Sequence, residues 1–351
     1  MIRPTHAIID INALKSNISA VQAKLRPHTK LMAAVKANAY GHGSVQISGA
    51  TLDAGVDYLA VATPEEGQTL REAGIKARIL ILSETNEHYS ECFLEQTLTA
   101  TVFSKGYLMS LQAAAKRAGV QLPVHIKVDT GMNRIGLKTE KELTDLLTAA
   151  SGCRNLIIEG MYTHFAVSEI SDKSFTTEQA ERFRKMADIA TRMGFSPMLH
   201  ASNSGAVLAL PELNFDMVRV GLSLYGYCPG QPVEDVTLTP VLTWKSAISH
   251  VKEIEPGETV SYGRTFTAHK RRRIATLPLG YADGYKRSLS NKAAVLVHGH
   301  RAPVVGTVCM DQFMCDVTDI TEVSPGDEAV LIGRQGNETI SADEMARWAD
   351  T

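Results

Sequence analysis

Short apolar runs alternate with longer segments of helical spacing along the first two thirds of this chain. After an extended piece at 7–11 and a helix-like stretch at 13–25, eight runs follow that are typical of buried strands. They span residues 31–35, 58–62, 79–82, 100–103, 124–128, 156–162, 197–200 and 217–220. Helices are predicted between them, for example at 104–117, 139–150 and 176–193, and the glycines at 55, 74, 119 and 194 follow predicted helix ends.

Alternation of strand and helix predicts a parallel sheet with right-handed crossovers. Eight units within about 220 residues fit a closed (β/α)8 TIM barrel better than an open, doubly wound sheet. A dinucleotide-binding fold is disfavoured further because no G-x-G-x-x-G motif follows the first of these strands. The sequence therefore predicts an α/β protein whose N-terminal barrel occupies residues 1–239.

The pattern changes at Pro240, where alternating, β-branched runs replace the strand–helix units. These runs span residues 243–252, 273–277, 294–298, 302–305, 308–317 and 328–332, with Gly299 and Gly306 as tight turns. A last helix is predicted from Ser341, whose side chain can cap it while Glu344 returns the bond in a capping box. Residues 240–351 are thus predicted to form a second, mainly antiparallel β domain.

Composition narrows the class of protein. A hydrophobic content of 44% with 21% charged residues indicates a globular protein, and a net charge of −2 provides no field for nucleic acid or a membrane surface. The basic run 269–273 leads into a strand, and we interpret it as a solvated edge rather than a polyanion site. No N-terminal leader and no membrane-length apolar stretch are found, so no membrane association is expected.

The five cysteines are odd in number and include no C-x-x-C pair. A disulfide framework or a zinc site is therefore not expected, and the chain suits a reducing cytoplasm. No metal site is predicted.

Lys36 is the most informative single residue, because it ends a buried strand and precedes a turn rich in small residues. Desolvation there would lower the pKa of the amine and make it available as a Schiff-base nucleophile or a general base. The alternative is a lysine whose ammonium group reaches solvent at a strand end. The segment by itself leaves both interpretations open.

Other polar residues follow the ends of the later barrel strands, where the active site of such a barrel lies. They include Lys127 and Arg134 after the fifth strand, His164 after the sixth, His200 and Asn203-Ser204-Gly205 after the seventh, and Arg219 and Gly221 after the eighth. The loops after the seventh and eighth strands are typical phosphate-binding sites in barrels. A phosphate site opposite a reactive lysine suggests pyridoxal phosphate as the cofactor.

Arg219 ends a core strand, so its charge must be paired or must face a ligand. Facing a pyridine nitrogen, it would keep that nitrogen unprotonated; the alternative is a salt bridge to a nearby carboxylate. His164 and His200 have a common alternative as satisfied core histidines. Because both histidines lie at one rim, supporting roles are favoured for them. One would adjust the pKa of a phenol, and the other would orient Arg219.

Several motifs of this chain together resemble the bacterial alanine racemase family, in the family's order and over most of the chain. The segment Ala34–Gly43 with Lys36 is similar to the family's pyridoxal-lysine motif. Further similar blocks are 127–136, 160–165, Asn203-Ser204, 219–221, 260–263, 280–285 and 310–314. The resemblance implies a pyridoxal-phosphate barrel followed by a β domain, in a head-to-tail homodimer with active sites shared across the interface.

The resemblance also implies roles for individual residues in two-base proton transfer on alanine. Lys36 would serve the D face, and Tyr262 of the second copy the L face, with its phenolate supported by His164. Arg134 would contact the phenolic oxygen of the cofactor and the substrate carboxylate, together with Met310. Tyr40, Asn203, Ser204, Gly221 and Leu222 would bind the cofactor, and His200, Asp311, Tyr281 and a carbamylated Lys127 would support these groups.

Two departures from the family pattern are present. Residues 167–170 replace a loop that is often small and acidic, so we expect a loop of different shape. Family members also continue past the last helix for roughly two dozen residues, whereas this sequence ends at Thr351. We expect the absent segment to leave a sheet edge unpaired and to weaken the hold on the cofactor.

The function expected from this resemblance is interconversion of L- and D-alanine, which supplies D-alanine for peptidoglycan. A racemase for serine or for many amino acids is the first alternative, because an apolar pocket excludes an added hydroxyl poorly. A barrel-type decarboxylase would present a carboxylate to the ring nitrogen, so Arg219 disfavours it. A cofactor-binding regulatory protein with weakened catalysis is the alternative of another class, and residues 240–351 with Tyr262 disfavour it.

Overall fold

The computed structural model describes residues 3–351. They form two compact units, one of residues 11–241 and one that joins the described residues before Ile11 to residues 242–351. Strand β1 (His6–Ile9) belongs to the second unit because it pairs antiparallel with Leu242–Lys245. The predicted first domain of residues 1–239 differs from this division at its start, and its predicted end lies two residues from the division at Val241.

The unit of residues 11–241 contains eight parallel strands, as predicted. They are β2 (Lys30–Ala34), β3 (Tyr58–Val61), β4 (Arg78–Ile81), β5 (Ala100–Val102), β6 (Leu122–Lys127), β7 (Leu156–Tyr162), β8 (Met198–His200) and β9 (Met217–Val220). Their order is β4-β3-β2-β9-β8-β7-β6-β5, and a parallel bridge between Leu80 and Thr99 joins the two ends. This arrangement confirms the predicted (β/α)8 barrel.

Helices connect these strands. They are α1 (Ile11–Gln22), α2 (Lys36–Tyr40), α3 (Ser44–Asp53), α4 (Pro64–Glu72), α5 (Ser90–Glu95), α6 (Lys105–Ala118), α7 (Glu140–Ser151), α8 (Ser174–Arg192) and α9 (Ser204–Ala209). Short 3-10 turns lie at Glu87–Tyr89, Pro211–Leu213 and Leu222–Tyr225. The predicted left-handed glycines at 55, 74, 119 and 194 have φ values of 85°, 87°, 69° and 85°, which is the conformation that ends a helix at lowest cost.

Sequence explains where several helices begin. Thr63 and Thr139 form capping boxes with Glu66 and Glu142 at the starts of α4 and α7, and Ser104 caps α6. Adjacent strands bury apolar side chains of the barrel against one another. One cluster contains Met32, Tyr58, Ala60, Leu80 and Met217. The polar residues that follow the strands are thereby held at the C-terminal rim.

The second unit consists of antiparallel strands and one helix, which confirms the predicted β domain. Besides β1 it contains β10 (Leu242–Ala247), β11 (His250–Ile254), β12 (Thr259–Val260), β13 (Phe266–Thr267), β14 (Arg272–Leu277), β15 (Ala294–Val297), β16 (His300–Pro303), β17 (Phe313–Asp316), β18 (Glu328–Gln335), β19 (Glu338–Ile340) and α10 (Ala342–Trp348). Further 3-10 turns lie at Tyr262–Arg264, Tyr281–Asp283 and Arg287–Leu289. The sheets have the orders β1-β10-β18-β15-β16 with β19 on β18, β11-β14-β17, and β12-β13.

Three predictions for this unit need correction. The single run predicted at 243–252 is two strands of different sheets, and the strand predicted at 308–317 is confined to Phe313–Asp316. Ser341 does cap α10 by accepting the Glu344 N–H, but the Glu344 carboxylate binds Arg301 instead of completing a capping box. A charged partner from β16 therefore replaces the local bond.

Candidate active site

A cavity of about 460 Å³ opens at the C-terminal ends of the barrel strands. Its volume lies in the usual range for small-molecule sites. Ten residues singled out from the sequence line it: Lys36, Tyr40, Lys127, Arg134, His164, Asn203, Ser204, Arg219, Gly221 and Leu222. His200 lies behind this layer and contacts Arg219, whereas Tyr262, Tyr281, Met310 and Asp311 lie in the other unit.

Lys36 begins a turn with an unusual backbone. The four residues after it, Ala37 to Tyr40, all have positive φ values of 52° to 55°. Each left-handed residue other than glycine costs about 1–2 kcal/mol, so a run of four must be held by its surroundings. Lys36 itself is partly exposed, so the expected desolvation of its amine is only partial.

Glu66 and Asn38 hold this turn in place. One Glu66 carboxylate oxygen accepts the Ala37 N–H at 2.6 Å, and the other accepts the Ala62 N–H at 2.7 Å. Asn38 Oδ1 accepts the Ser44 N–H at 2.8 Å. The residue that follows Lys36 is thus tied to α4 and to the loop after β3, which orients the amine toward the cavity that it lines.

A second group of residues in the cavity wall can bind an anion. Ser204 Oγ accepts the N–H groups of Gly221 at 3.0 Å and Ser223 at 3.3 Å, which leaves its own O–H as a donor. Asn203 caps α9 by accepting the Ala206 N–H at 3.2 Å. A Cβ atom on Gly221 would lie 2.5 Å from the Tyr40 hydroxyl, so only glycine leaves room here.

Arg219 is buried, with 6% of its surface exposed, and it bonds only to neutral groups. Its guanidinium donates to the carbonyls of Thr163 and Ala201 and to His200 Nδ1, at 2.7, 3.1 and 2.9 Å. His164 Nδ1 lies 3.1 Å away. Burial lowers the pKa of Arg219 to about 10. Among residues 3–351 it forms no ion pair with a carboxylate, so the alternative of a salt bridge is not supported.

The two rim histidines are neutral. Burial, followed by the positive charge of Arg219, holds the pKa of both His164 and His200 well below the ordinary value. The ring of Tyr162 stacks on His200, with centroids 4.8 Å apart. His200 Nδ1 therefore accepts a hydrogen bond from Arg219.

Lys127 is a second amine in the cavity wall. It is buried, its Nζ donates to the Val128 carbonyl at 2.6 Å, and it lies 5.4 Å from the Tyr162 ring centroid. Burial and the nearby charge of Arg219 lower its pKa to about 7. A large share of neutral amine, the form that reacts as a nucleophile, is therefore present at neutral pH.

Arg134 is held through its backbone by Asp129. The two oxygens of the Asp129 carboxylate accept the N–H groups of Gly131, Asn133 and Arg134, at 2.9, 3.0 and 3.1 Å. This bonding fixes the loop after β6, whose Arg134 side chain faces the cavity with Lys127.

The residues predicted in the second unit also share a cavity, of about 630 Å³, lined by Tyr262, Tyr281, Met310 and Asp311 among others. Tyr262 is 70% exposed and Met310 is 53% exposed. Tyr262 lies between Ser261 and Gly263, which have φ values of 66° and 74°, and Thr307 Oγ1 donates to its carbonyl at 2.8 Å. Tyr262 therefore lies in an exposed loop of this unit, and the backbone of that loop is restrained.

Sequence reasoning missed Tyr162, His125 and Glu66. Tyr162 ends β7 and lines the cavity, and Glu66 both caps α4 and binds the turn after Lys36. His125 carried a usable signal, because it precedes Lys127 by two residues and thus shares its face of β6.

The fold and cavity define a barrel enzyme with an amine and an anion site. Comparison identifies the family: the model described as "Alanine racemase, N-terminal domain" matches residues 9–229, and "Alanine racemase, C-terminal domain" matches residues 241–351. The alanine racemases of Halothermothrix orenii and Symbiobacterium thermophilum are each 44% identical to it, over 99% of this chain and 92% and 93% of theirs. The structure of "alanine racemase from Bacillus anthracis (BA0252) with bound L-Ala-P" has a TM-score of 0.95 and 35% identity, covering 100% of this chain and 91% of that one.

The chain therefore belongs to the alanine racemase family, and interconversion of L- and D-alanine is the enzymatic activity that this membership supports. Within residues 3–351, no group of three or more potential metal ligands is arranged to hold a metal ion. In the same range, no helix combines the length and apolar character that crossing a membrane requires.

Proposed function

We propose that this chain racemises alanine with pyridoxal 5'-phosphate bound at Lys36, by proton transfer between Lys36 and Tyr262 of a second copy. The observation that carries the proposal is a single cavity lined by Lys36, by Ser204 and Gly221 of the candidate anion site, and by buried Arg219.

The residues present fit this cofactor. The O–H of Ser204 and the space kept open by Gly221 suit a phosphate group, with Tyr40 and Leu222 beside it. Asn203 stabilises the helix start that carries Ser204. Lys36 would hold the aldehyde carbon, and Arg219 would face the ring nitrogen. When bound, the cofactor withdraws electrons from the substrate and makes its α-proton acidic.

Each protein group then has a definite task. The guanidinium of Arg219 only donates hydrogen bonds, so it would keep a proton off a ring nitrogen bound beside it. Such a ring would take up less negative charge, which would favour return of the proton over side reactions. Lys36 Nζ removes or returns the proton on the D face, and neutral His164 supports the phenolate that works on the L face.

A second copy of the chain would supply the L-face base. Tyr262 and Met310 are exposed in a cavity of their own unit, with Tyr281 and Asp311 beside them. Exposed tyrosine and methionine side chains at one site are typical of surfaces that a partner covers. In the homodimer, Tyr262 would reach the substrate, and the Met310 N–H would bind the substrate carboxylate together with Arg134.

We also propose that Lys127 is carbamylated and braces Arg134. Carbamylation requires a neutral amine, and the lowered pKa of Lys127 provides it. The product carboxylate would replace an unfavourable buried charge by one of opposite sign to Arg134 and Arg219. Mass spectrometry of the intact protein at neutral pH should show the mass of one added CO2, absent from Lys127→Met and present in the exposed control Lys116→Met.

The reaction would take place in the cytoplasm and supply D-alanine for peptidoglycan. The five cysteines are free thiols, which suits a reducing compartment. A panel of L-amino acids tests the specificity. Turnover of serine comparable to that of alanine would favour the broad-specificity alternative.

The direct test compares the wild type with Lys36→Ala and Tyr262→Phe. Lys36→Ala should lose the absorbance band of the lysine-bound cofactor and all racemisation. Tyr262→Phe should keep the band but lose exchange of the L-alanine α-proton with solvent. Lys116→Ala and Tyr89→Phe, at exposed positions outside both cavities, should behave as the wild type. Full activity of Lys36→Ala would contradict the proposal.

Mixing the two inactive variants tests the shared site. Random exchange of subunits produces about half mixed dimers, each with one intact site, so about a quarter of wild-type activity should return. If each site is built from a single chain, mixing restores nothing. Cofactor binding without racemisation by the wild type would favour the regulatory alternative.

A further inference from the structure

A chain of side chains leads from Arg219 toward the N-terminal side of the barrel. Arg219 Nη1 lies 2.9 Å from His200 Nδ1, and His200 Nε2 lies 2.9 Å from His125 Nδ1. His125 Nε2 lies 3.3 Å from a Glu159 oxygen, whose carboxylate also pairs with Arg78, the first residue of β4. We call Arg219, His200, His125 and Glu159 the relay.

Strand β7 is shaped to hold the relay. Val124 pairs with Ile158 but the next residue, His125, pairs with Gly160, so Glu159 is the extra residue of a β-bulge. Bulges redirect a side chain at the expense of one ladder position. A Cβ atom on Gly160 would lie 2.6 Å from the His125 ring. Both the bulge and the glycine are thus needed for Glu159 to meet His125.

The two ends of the relay determine where its protons lie. Arg219 can only donate and the Glu159 carboxylate can only accept, so His200 Nδ1 accepts and its Nε2 carries the proton. His125 must have the same tautomer. Both imidazoles are 0% exposed, and burial, with the charges of Arg219 and Arg78, lowers the pKa of His125 to about 3. Both rings are therefore neutral.

This order has an electrostatic consequence. Each neutral imidazole turns its unprotonated nitrogen toward Arg219 and its N–H toward Glu159. The two ring dipoles therefore add, and they stabilise a cation at one end and an anion at the other. Arg219 forms no ion pair within residues 3–351, and the relay connects it to a carboxylate through two imidazoles.

We propose that Glu159 and His125 are positioning residues that act through His200 to orient the Arg219 guanidinium and to hold both imidazoles in the Nε2–H form. The relay itself does not depend on a cofactor. Its consequence for the reaction, a fixed donor at the ring nitrogen, rests on the proposed function.

The first test needs neither cofactor nor turnover. Histidine labelled with 15N reports the tautomer of each ring, and variants lacking one histidine at a time assign the signals. In the cofactor-free wild type, both His125 and His200 should show a protonated Nε2 and an unprotonated Nδ1 from about pH 6 to 9, because both stay neutral there. A protonated Nδ1 or a cationic ring at either position would overturn the proposal.

Variants of Glu159 separate the effect of its negative charge from the effect of its hydrogen-bond acceptor. Glu159→Gln keeps a carbonyl acceptor without the charge and should retain the 15N signal of His125 Nε2. Glu159→Leu leaves the His125 Nε2–H without its acceptor and should shift that signal, while Arg219 still sets the tautomer of both rings. Glu178→Leu, which removes a carboxylate paired with exposed Arg182 on α8, should leave both signals unchanged. Unchanged imidazole signals in Glu159→Leu would refute the role of Glu159.

The second test uses the enzyme with pyridoxal phosphate. Glu159→Leu should lower kcat by about 10- to 100-fold, as loss of an outer partner of an oriented group does, with a smaller change in KM for alanine. The absorption spectrum of the bound cofactor should become pH-dependent as the ring nitrogen gains a proton. If the wild type binds no cofactor, the proposed function fails, and the 15N data still decide the relay.

Discussion

The carboxylate of Glu66 accepts the N–H of Ala37 at 2.6 Å, so α4 restrains the residue directly after Lys36. The same carboxylate accepts the Ala62 N–H, and both bonds come from a side chain that also caps its own helix. Four left-handed residues follow Lys36 in a row, and this turn depends on tertiary bonds because its own backbone disfavours it. Glu66 therefore links local helix capping to the position of the reactive amine.

Replacing Glu66 by Gln should destabilise the barrel and displace Lys36. The amide group would turn an N–H toward one of two backbone N–H donors. An unsatisfied buried donor costs about 1–3 kcal/mol, and because these donors are at most partly buried the loss should lie at or below the lower end of that range. Urea unfolding measures the stability, and the rate of imine formation with pyridoxal phosphate reports on Lys36. Glu72→Gln, on the exposed face of the same helix, is the matched control. Equal stability and equal rates in the two variants would contradict this role.

Lys127 should make stability depend on pH. Its folded pKa of about 7 lies below the ordinary lysine value, so above pH 7 the unfolded chain holds a proton that the folded protein lacks. The free energy of unfolding should therefore rise with pH from about 7 to 10, by at most about 1.4 kcal/mol per pH unit. Below pH 7 both states carry the proton, and the full cost of burying the charge applies.

Denaturant unfolding in CO2-depleted buffer at several pH values checks this prediction. Lys127→Met should remove the rise, whereas exposed Lys116→Met should retain it. Parallel curves for wild type and Lys127→Met would show that Lys127 does not titrate in this range.

Gly221→Ala should weaken the anion site. The new methyl group would lie 2.5 Å from the Tyr40 hydroxyl, and overpacking of this kind costs about 1–3 kcal/mol. Equilibrium dialysis should show weaker binding of pyridoxal phosphate, and Tyr40→Phe in the same chain should recover part of the lost stability. Gly106→Ala is the control, since a Cβ there meets nothing within 4 Å. Binding as tight as in the wild type would refute the predicted crowding.

Ser341→Ala should destabilise α10 of the second unit. The side chain accepts the Glu344 N–H at 3.0 Å, and loss of such a cap costs about 1 kcal/mol. Thermal unfolding should show a lower midpoint. Ser19→Ala, at an exposed site inside α1, should have no effect or raise it slightly, because alanine favours helix interiors. A midpoint unchanged by Ser341→Ala would mean that the Arg301–Glu344 pair alone holds the helix.

Local patterns in the sequence predicted most of the fold. The barrel strands were predicted within two residues at most ends, because buried parallel strands are continuous apolar runs. The tight turn predicted at Gly299 is the loop His298-Gly299 between β15 and β16, whose φ values of 51° and 77° suit a two-residue turn with glycine. Grouping of Lys36, His164, Ser204 and Arg219 followed from the rule that strand ends share one rim.

Such local patterns do not predict which distant segments of the chain pair with each other. Strand β1 joins the second unit through β10, more than two hundred positions away, and nothing in His6–Ile9 states which sheet it completes. The sequence predicted that Glu344 completes a capping box. In the structure the Glu344 carboxylate instead pairs with the positive charge of Arg301.

The amino-acid sequence by itself determined the barrel and the second β domain, because periodicity and glycine placement act over a few positions. It also indicated the polar residues at the ends of the barrel strands, whereas Tyr262 and Met310 were singled out only through the resemblance to a family. Only the tertiary structure decided the partners of these charged side chains: Glu66 with Ala37, and Glu159 with His125 and, through His125 and His200, with Arg219. A buried polar group takes whatever donor or acceptor the fold brings within 3 Å or so, and that choice depends on strand order and on one bulge rather than on neighbours in the chain.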